Sequence, residues 1–124
     1  MKILIVDDNE SDRKLFKVFL QNAGFKGEIL MATTGEESLE MIQPHAPDLV
    51  ILDTRMPGID GFETCRGIKA SAQTPIKVIM VTGLVDAVDA GKAREAGADG
   101  YCVKTSDGAN LIETIKEIGL NINE

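Results

Sequence analysis

The chain has no tryptophan, a single tyrosine, a single histidine and only two cysteines among its 124 residues. His45 is flanked by Pro44 and Pro47, so it reads as a solvated loop residue rather than a phosphoacceptor. Cys65 and Cys102 lie far apart with no second pair and no neighbouring histidine, which excludes a zinc site. Both read as reduced, partly buried small apolar residues. No apolar stretch approaches the roughly 20 residues that span a bilayer, and the first one meets acidic residues too soon to be a signal peptide. The chain therefore reads as cytoplasmic, with no membrane partner. Basic residues number 13 against 20 acidic ones, for a net charge of -7, so the basic stripe that neutralises phosphates is missing. Direct DNA binding by this chain is not expected.

What is present is the composition of one folded domain, with 44% hydrophobic and 27% charged residues. Short apolar runs alternate with amphipathic stretches, the βαβα rhythm of a parallel sheet covered by helices on both faces. Strands are predicted near Lys2 to Val6, Glu28 to Ala32, Asp48 to Leu52, Ile76 to Val81 and Gly100 to Val103. The first helix is predicted from about Ser11 to Ala23, with Asn9 or Ser11 as cap and Leu15, Val18, Phe19 and Leu20 inward. Thr34 and Glu37 have capping-box spacing, so the second helix starts at Gly35 and runs to about Gln43, ended by Pro44 and Pro47. The third is expected over Phe62 to Ala70 and the last over Asp107 to Ile118, burying Leu111, Ile112, Ile115 and Ile118. The fourth, Asp86 to Ala96, has only a thin apolar stripe of Val85, Val88 and Ala96 and contains Gly91, which makes it the least secure.

Four of the five strands end on a residue suited to phosphoryl chemistry: Asp7 and Asp8, Asp53, Thr82, and Lys104. In an open α/β sheet the carboxyl ends of parallel strands form the ligand-binding edge, so these groups face one crevice. Singly each is weak evidence, because an aspartate after a strand is most often a turn or a cap. Together they form a set. Three converging carboxylates repel one another unless a cation joins them, and hard oxygen donors without clustered His or Cys suit Mg2+. Asp8 and Asp53 are assigned to the metal directly, Asp7 directly or through water, and the backbone oxygen of Arg55 as a further ligand. Asp53, exposed ahead of the turn from Thr54 to Gly58, is the best nucleophile for an aspartyl-phosphate. Lys104 can neutralise oxygens of the transferring group and the Thr82 hydroxyl can donate to one.

Those residues carry a resemblance. Through IVDD (Ile5 to Asp8), LDTRMPGIDG (Leu52 to Gly61), MVTG (Met80 to Gly83) and GYCVK (Gly100 to Lys104), the chain resembles the receiver domain of two-component response regulators, including the single-domain chemotaxis type, over essentially its whole length. The resemblance implies a flavodoxin-like fold of strand order 2-1-3-4-5. It also implies phosphoryl transfer to Asp53 from the phosphohistidine of a sensor histidine kinase or phosphotransfer protein, with slow autodephosphorylation rather than enzymatic turnover. Thr82 and Tyr101 become switch residues, and the face of the fourth helix, fifth strand and fifth helix becomes the surface for a downstream protein. Residues 1–124 are expected to be one receiver domain without an output domain, its output passing through partner binding or residues outside this chain.

Other readings compete. A flavin or nucleotide carrier would need a glycine-rich loop where Asp7 and Asp8 stand. An aspartyl-nucleophile phosphatase would need a second carboxylate where Arg55 stands. A receiver-like scaffold that binds partners without phosphorylation stays open.

The resemblance is broken at one place: Thr105 follows Lys104, where receivers usually have a proline joined by a cis peptide. Either the strained cis bond is kept or the loop is trans and differently shaped. Arg55 and Leu84 flank the site at positions that vary among receivers; Arg55 is placed to pair with Glu10, and Leu84 to shield the acyl phosphate from water. Leu84→Asn is therefore expected to shorten the acyl-phosphate lifetime in a decay measurement, and equal or slower loss would remove the shielding role.

Overall fold

The computed structural model describes residues 1–83 and 86–123. Among them strands and helices alternate as β1 (Lys2–Val6), α1 (Glu10–Asn22), β2 (Glu28–Ala32), α2 (Gly35–His45), β3 (Leu49–Asp53), α3 (Gly61–Ser71), β4 (Lys77–Thr82), α4 (Ala87–Glu95), β5 (Gly100–Val103) and α5 (Ala109–Glu117). The strands form one parallel sheet in the order β2-β1-β3-β4-β5. This is the flavodoxin-like arrangement that the resemblance implied.

Side chains alternate across each strand and divide the core in two. Ile3, Ile5, Leu49, Ile51, Ile79 and Val81 pack against Phe16, Phe19 and Leu20 of α1 and Leu111 and Ile115 of α5. Their neighbours Leu4, Val6, Val50, Leu52, Val78 and Met80 pack against Ile42 of α2, Phe62, Cys65 and Ile68 of α3, and Ala93 of α4. Strands buried on both faces cannot show an apolar and polar alternation, which is why they read as continuous apolar runs in the sequence.

Several details differ from the sequence expectation. On α1 the inward stripe is Phe16, Phe19 and Leu20, while Leu15 and Val18 are 41% and 46% exposed. The core takes one i, i+3, i+4 set, and the apolar neighbours beside it turn outward. Asn9 caps α1 by accepting from Asp12 N–H, so the helix begins at Glu10. Pro44 does not end α2 but sits in its last turn with His45, at the cost of the one helical bond its missing N–H would have made to the preceding turn. The stop is Ala46, left-handed at φ 46°, ahead of Pro47.

Of the expected stripe on α4, Ala96 is buried as predicted but Val88 is 64% exposed, with Ala93 buried in its place; Val85 lies outside the described residues. Helix α5 starts two residues later than expected, because Gly108 takes φ 71° and Asp107 Oδ1 accepts from Ala109 N–H. Ile112 and Ile118 are only half-buried, and Thr114 fills the interior position between Leu111 and Ile115. β3 and β4 each sit one residue later than predicted. No cis peptide occurs among the described residues, so the Lys104–Thr105 bond is trans.

Register fixes the site. Val6 of β1 pairs with Leu52 of β3, so Asp7 and Asp53, each one residue further, emerge side by side. Thr82 pairs with Val103, which brings Lys104 to the same edge. Gly61, the first residue of α3, lies so close to the Asp53 carbonyl and Thr54 Cα that a Cβ there has no room. Gly91 in α4 has open space around its missing Cβ. In urea unfolding, Gly61→Ala is expected to destabilise by about 1–3 kcal/mol, and Gly91→Ala to stabilise by about 0.5–1 kcal/mol.

Candidate functional site

Asp7, Asp8 and Asp53 each present a carboxylate oxygen within 4.8 Å of the other two. Asp7 is fully buried and Asp53 is 9% exposed, whereas Asp8 faces solvent. Asp7 Oδ1 accepts from Asn9 N–H at 2.9 Å, and Arg13 donates to the Asp7 carbonyl at 2.8 Å, so the loop leaving β1 is tied to α1. Asp53 Oδ1 accepts a long bond of 3.4 Å from Arg55 N–H, which leaves it capacity for another partner. Lys104 reaches across from the end of β5, with Nζ 3.1 Å from Asp7 Oδ2 and 3.8 Å from Asp53 Oδ1. Its own N–H donates to the Thr82 carbonyl at 2.8 Å, which fixes the root of the side chain.

Asp53, Thr54, Arg55, Thr82, Gly83 and Lys104 line a pocket of about 240 Å³. Asp53 is thus less exposed than the sequence suggested: β3 extends through it and buries most of the side chain, which lines this pocket. Thr82 is 3% exposed and Arg55 is exposed at the rim. Tyr101, on β5, is half-buried with its hydroxyl enclosed and without a hydrogen-bond partner among the described residues.

Burial dominates the electrostatics. Removal from water, then repulsion by Asp7, push the Asp53 carboxyl from 3.8 up to about 6, against the pull of Lys104 and the Arg55 N–H. Burial also raises Asp7, partly offset by the Asn9 N–H and by Lys104. Burial alone would lower Lys104, but its bond to Asp12 and the charges of Asp53 and Asp7 hold the ammonium well above its ordinary range. A cluster of hard carboxylate oxygens, two of them buried and mutually repelling, is a donor set that fits Mg2+ and not a softer metal.

Asp12 was not singled out by the sequence. Its carboxylate is the nearest anion to Lys104, with Oδ2 2.8 Å from Nζ. As a first-turn acid it reads as complementing the dipole of α1, and the sign of its second role is helical spacing: Asp12 lies four residues before the buried Phe16. The expected pairing of Arg55 with Glu10 is not formed; Glu10 pairs with Lys14, one turn along α1, at 2.9 Å. Leu84 lies outside the described residues. Both cysteines are buried free thiols, raised by burial to about 11, which leaves them protonated and unreactive. His45 is half-buried in the last turn of α2 rather than in a loop, and its carbonyl accepts from Lys2 Nζ.

The raised Asp53 sets the sign of a pH effect. Between about 4 and 6 the folded state holds a proton that the unfolded chain has released, so this group's stabilising contribution is complete below its ordinary value of 3.8 and is lost as pH rises through about 6. Asp53→Asn is therefore expected to stabilise the metal-free protein at neutral pH by about 1–3 kcal/mol. Urea unfolding with a chelator is also expected to show a flatter pH dependence for this variant across that window.

The comparisons agree with this architecture. The family model described as the response regulator receiver domain matches residues 3–116. The transcriptional regulatory protein AfsQ1 of Streptomyces coelicolor is 35% identical over 94% of this chain and 50% of its own length. The chain spans about half the length of the curated relatives it matches. Among solved structures, the chemotaxis protein CheY4 of Vibrio cholerae superposes with a TM-score of 0.83 at 30% identity, covering 94% of this chain and 97% of that one. The response regulator protein TrrA of Thermotoga maritima, solved in complex with Mg(2+)-BeF, does so with a TM-score of 0.81 at 37% identity and the same coverages of 94% and 97%. All but the first residue of the sheet and the last residue of α5 fall inside the matched span, and the chain belongs to the response regulator receiver domain family, the phosphorylation-controlled receivers of two-component signalling.

Proposed function

We propose that Asp53 is the phosphoryl acceptor of this receiver, and that its modification switches a partner-binding surface. The observation that carries the reading is the meeting of Asp7, Asp8, Asp53 and Lys104 at one sheet edge beside a pocket lined by Asp53 and Thr82. The donor is the phosphohistidine of a sensor histidine kinase or a phosphotransfer protein. An Asp53 oxygen forms a bond to phosphorus as the phosphorus–nitrogen bond breaks, and the electron pair leaves on the imidazole.

The residues that would hold Mg2+ are Asp8 and Asp53 directly, Asp7 directly or through water, and the Arg55 backbone oxygen. When bound, the metal offsets the repulsion among the carboxylates and the negative charge of the incoming phosphoryl group. The solved complex of the Thermotoga relative with Mg2+ and a beryllium fluoride supports this assignment. Lys104 balances a second phosphoryl oxygen. Thr82 donates to a third, a bond worth making only once that oxygen has arrived. The enclosed Tyr101 hydroxyl lacks a partner among the described residues, a cost that movement of the ring removes.

The output face is assigned to α4, β5 and α5. Helix α4 is short, contains Gly91 and buries little, which suits an element that shifts at small cost. The acidic chain is assigned no DNA contact of its own, and among the described residues no helix is long and apolar enough to cross a membrane. Its output is assigned to protein contacts, and its phosphoryl group to slow self-catalysed loss.

Incubation with acetyl phosphate and Mg2+ is expected to add one phosphate-sized increment to the intact mass, and Asp53→Asn to abolish it. No increment, under conditions that modify a control receiver, would favour the alternative of a scaffold that works without phosphorylation.

A further inference from the structure

Lys104 has an allegiance that phosphoryl chemistry alone does not require. Its ammonium lies 2.8 Å from Asp12 on α1, nearer than to Asp7 at 3.1 Å and a full ångström nearer than to Asp53 at 3.8 Å. The ring of Phe16, one turn further along the inward face of α1, stands 6.0 Å from the same ammonium. Asp12 and Phe16, at i and i+4, thus form a seat for the lysine on α1.

The geometry points to Asp12 as a positioning residue: it holds Lys104 on α1 in the unmodified protein and competes with the modified Asp53 for it. This inference rests on the assignment of Asp53 as acceptor. The backbone at Lys104 is anchored by the Val103 N–H bond to Asn110 Oδ1 at 2.7 Å and the Lys104 N–H bond to the Thr82 carbonyl at 2.8 Å, so the choice of anion falls to the flexible side chain. Phosphorylation puts about two negative charges at Asp53 in place of the carboxylate's one, which draws the ammonium toward it and away from Asp12. Asp12 is partly exposed, at 32% of its side chain, so it is rehydrated when the lysine leaves, and the pair can open and close. The seat therefore opposes the modified state by the net worth of the Lys104–Asp12 pair, and it links the first turn of α1 to the state of Asp53.

The test is the affinity for beryllium fluoride, a phosphoryl mimic, measured by isothermal titration of the full chain in Mg2+. Asp12→Asn is expected to bind roughly two- to fivefold more tightly than wild type, the range of a partly exposed ion pair. Asp12→Glu is expected to restore binding toward wild type. Glu10→Gln removes a charge from the same helix but one paired with Lys14, and is expected to leave affinity unchanged. In a Lys104→Met background Asp12→Asn is expected to have no effect. Equal affinity of wild type and Asp12→Asn, an equal gain from Glu10→Gln, or a gain that persists without Lys104 would each overturn the competition while leaving the acceptor assignment intact. Failure of wild type to bind, where a control receiver binds, would overturn both.

Discussion

The site depends on one unfavourable arrangement: two buried carboxylates, Asp7 and Asp53, held against each other at the ends of neighbouring strands. Left alone they would resist both burial and proximity. The sheet enforces the proximity, because β1 and β3 are locked by parallel pairing from Ile3 with Leu49 to Val6 with Leu52, and both strands are buried on both faces. A slip of register would expose part of that core, so its burial holds the acids in place. Lys104 is the one cation within salt-bridge reach of both acids among the described residues, and it is shared three ways.

From that constraint the chemistry follows. An acidic pocket with an incomplete set of counter-charges attracts a hard cation, and the cation makes the approach of an anionic phosphoryl group possible. Adding that group changes the balance of charge in a small volume. The groups around it are tied to different helices: Asp7 to α1 through Arg13, Asp12 to Lys104, and Thr82 at the end of β4 ahead of α4. Helix α4, which buries only Ala93 among its described residues, lies next along the chain from Thr82, an arrangement that suits the switch proposed above.

Much of this was legible in the chain. The five strands were readable from apolar runs, α2 from Thr34 and Glu37 at its start, and the candidate site from the acids, hydroxyl and lysine that end the runs. Less legible was which of several adjacent apolar residues faces inward. Leu15, Val18 and Val88 are as apolar as their buried neighbours, and only the opposing sheet decides among them. Helix ends were likewise blurred where a glycine or proline allowed two solutions, as Gly108 and Pro44 did.

The sequence by itself determined the strand runs, the cap of α2 and which side-chain types stand at the strand ends, because these depend on local pattern and on side-chain chemistry. Only the tertiary structure decided how deeply Asp53 is buried, that the Lys104–Thr105 peptide is trans, and that Asp12 is the nearest anion to Lys104. Those outcomes depend on distances between segments as much as 92 residues apart, which strand register and helix packing set and local pattern does not carry.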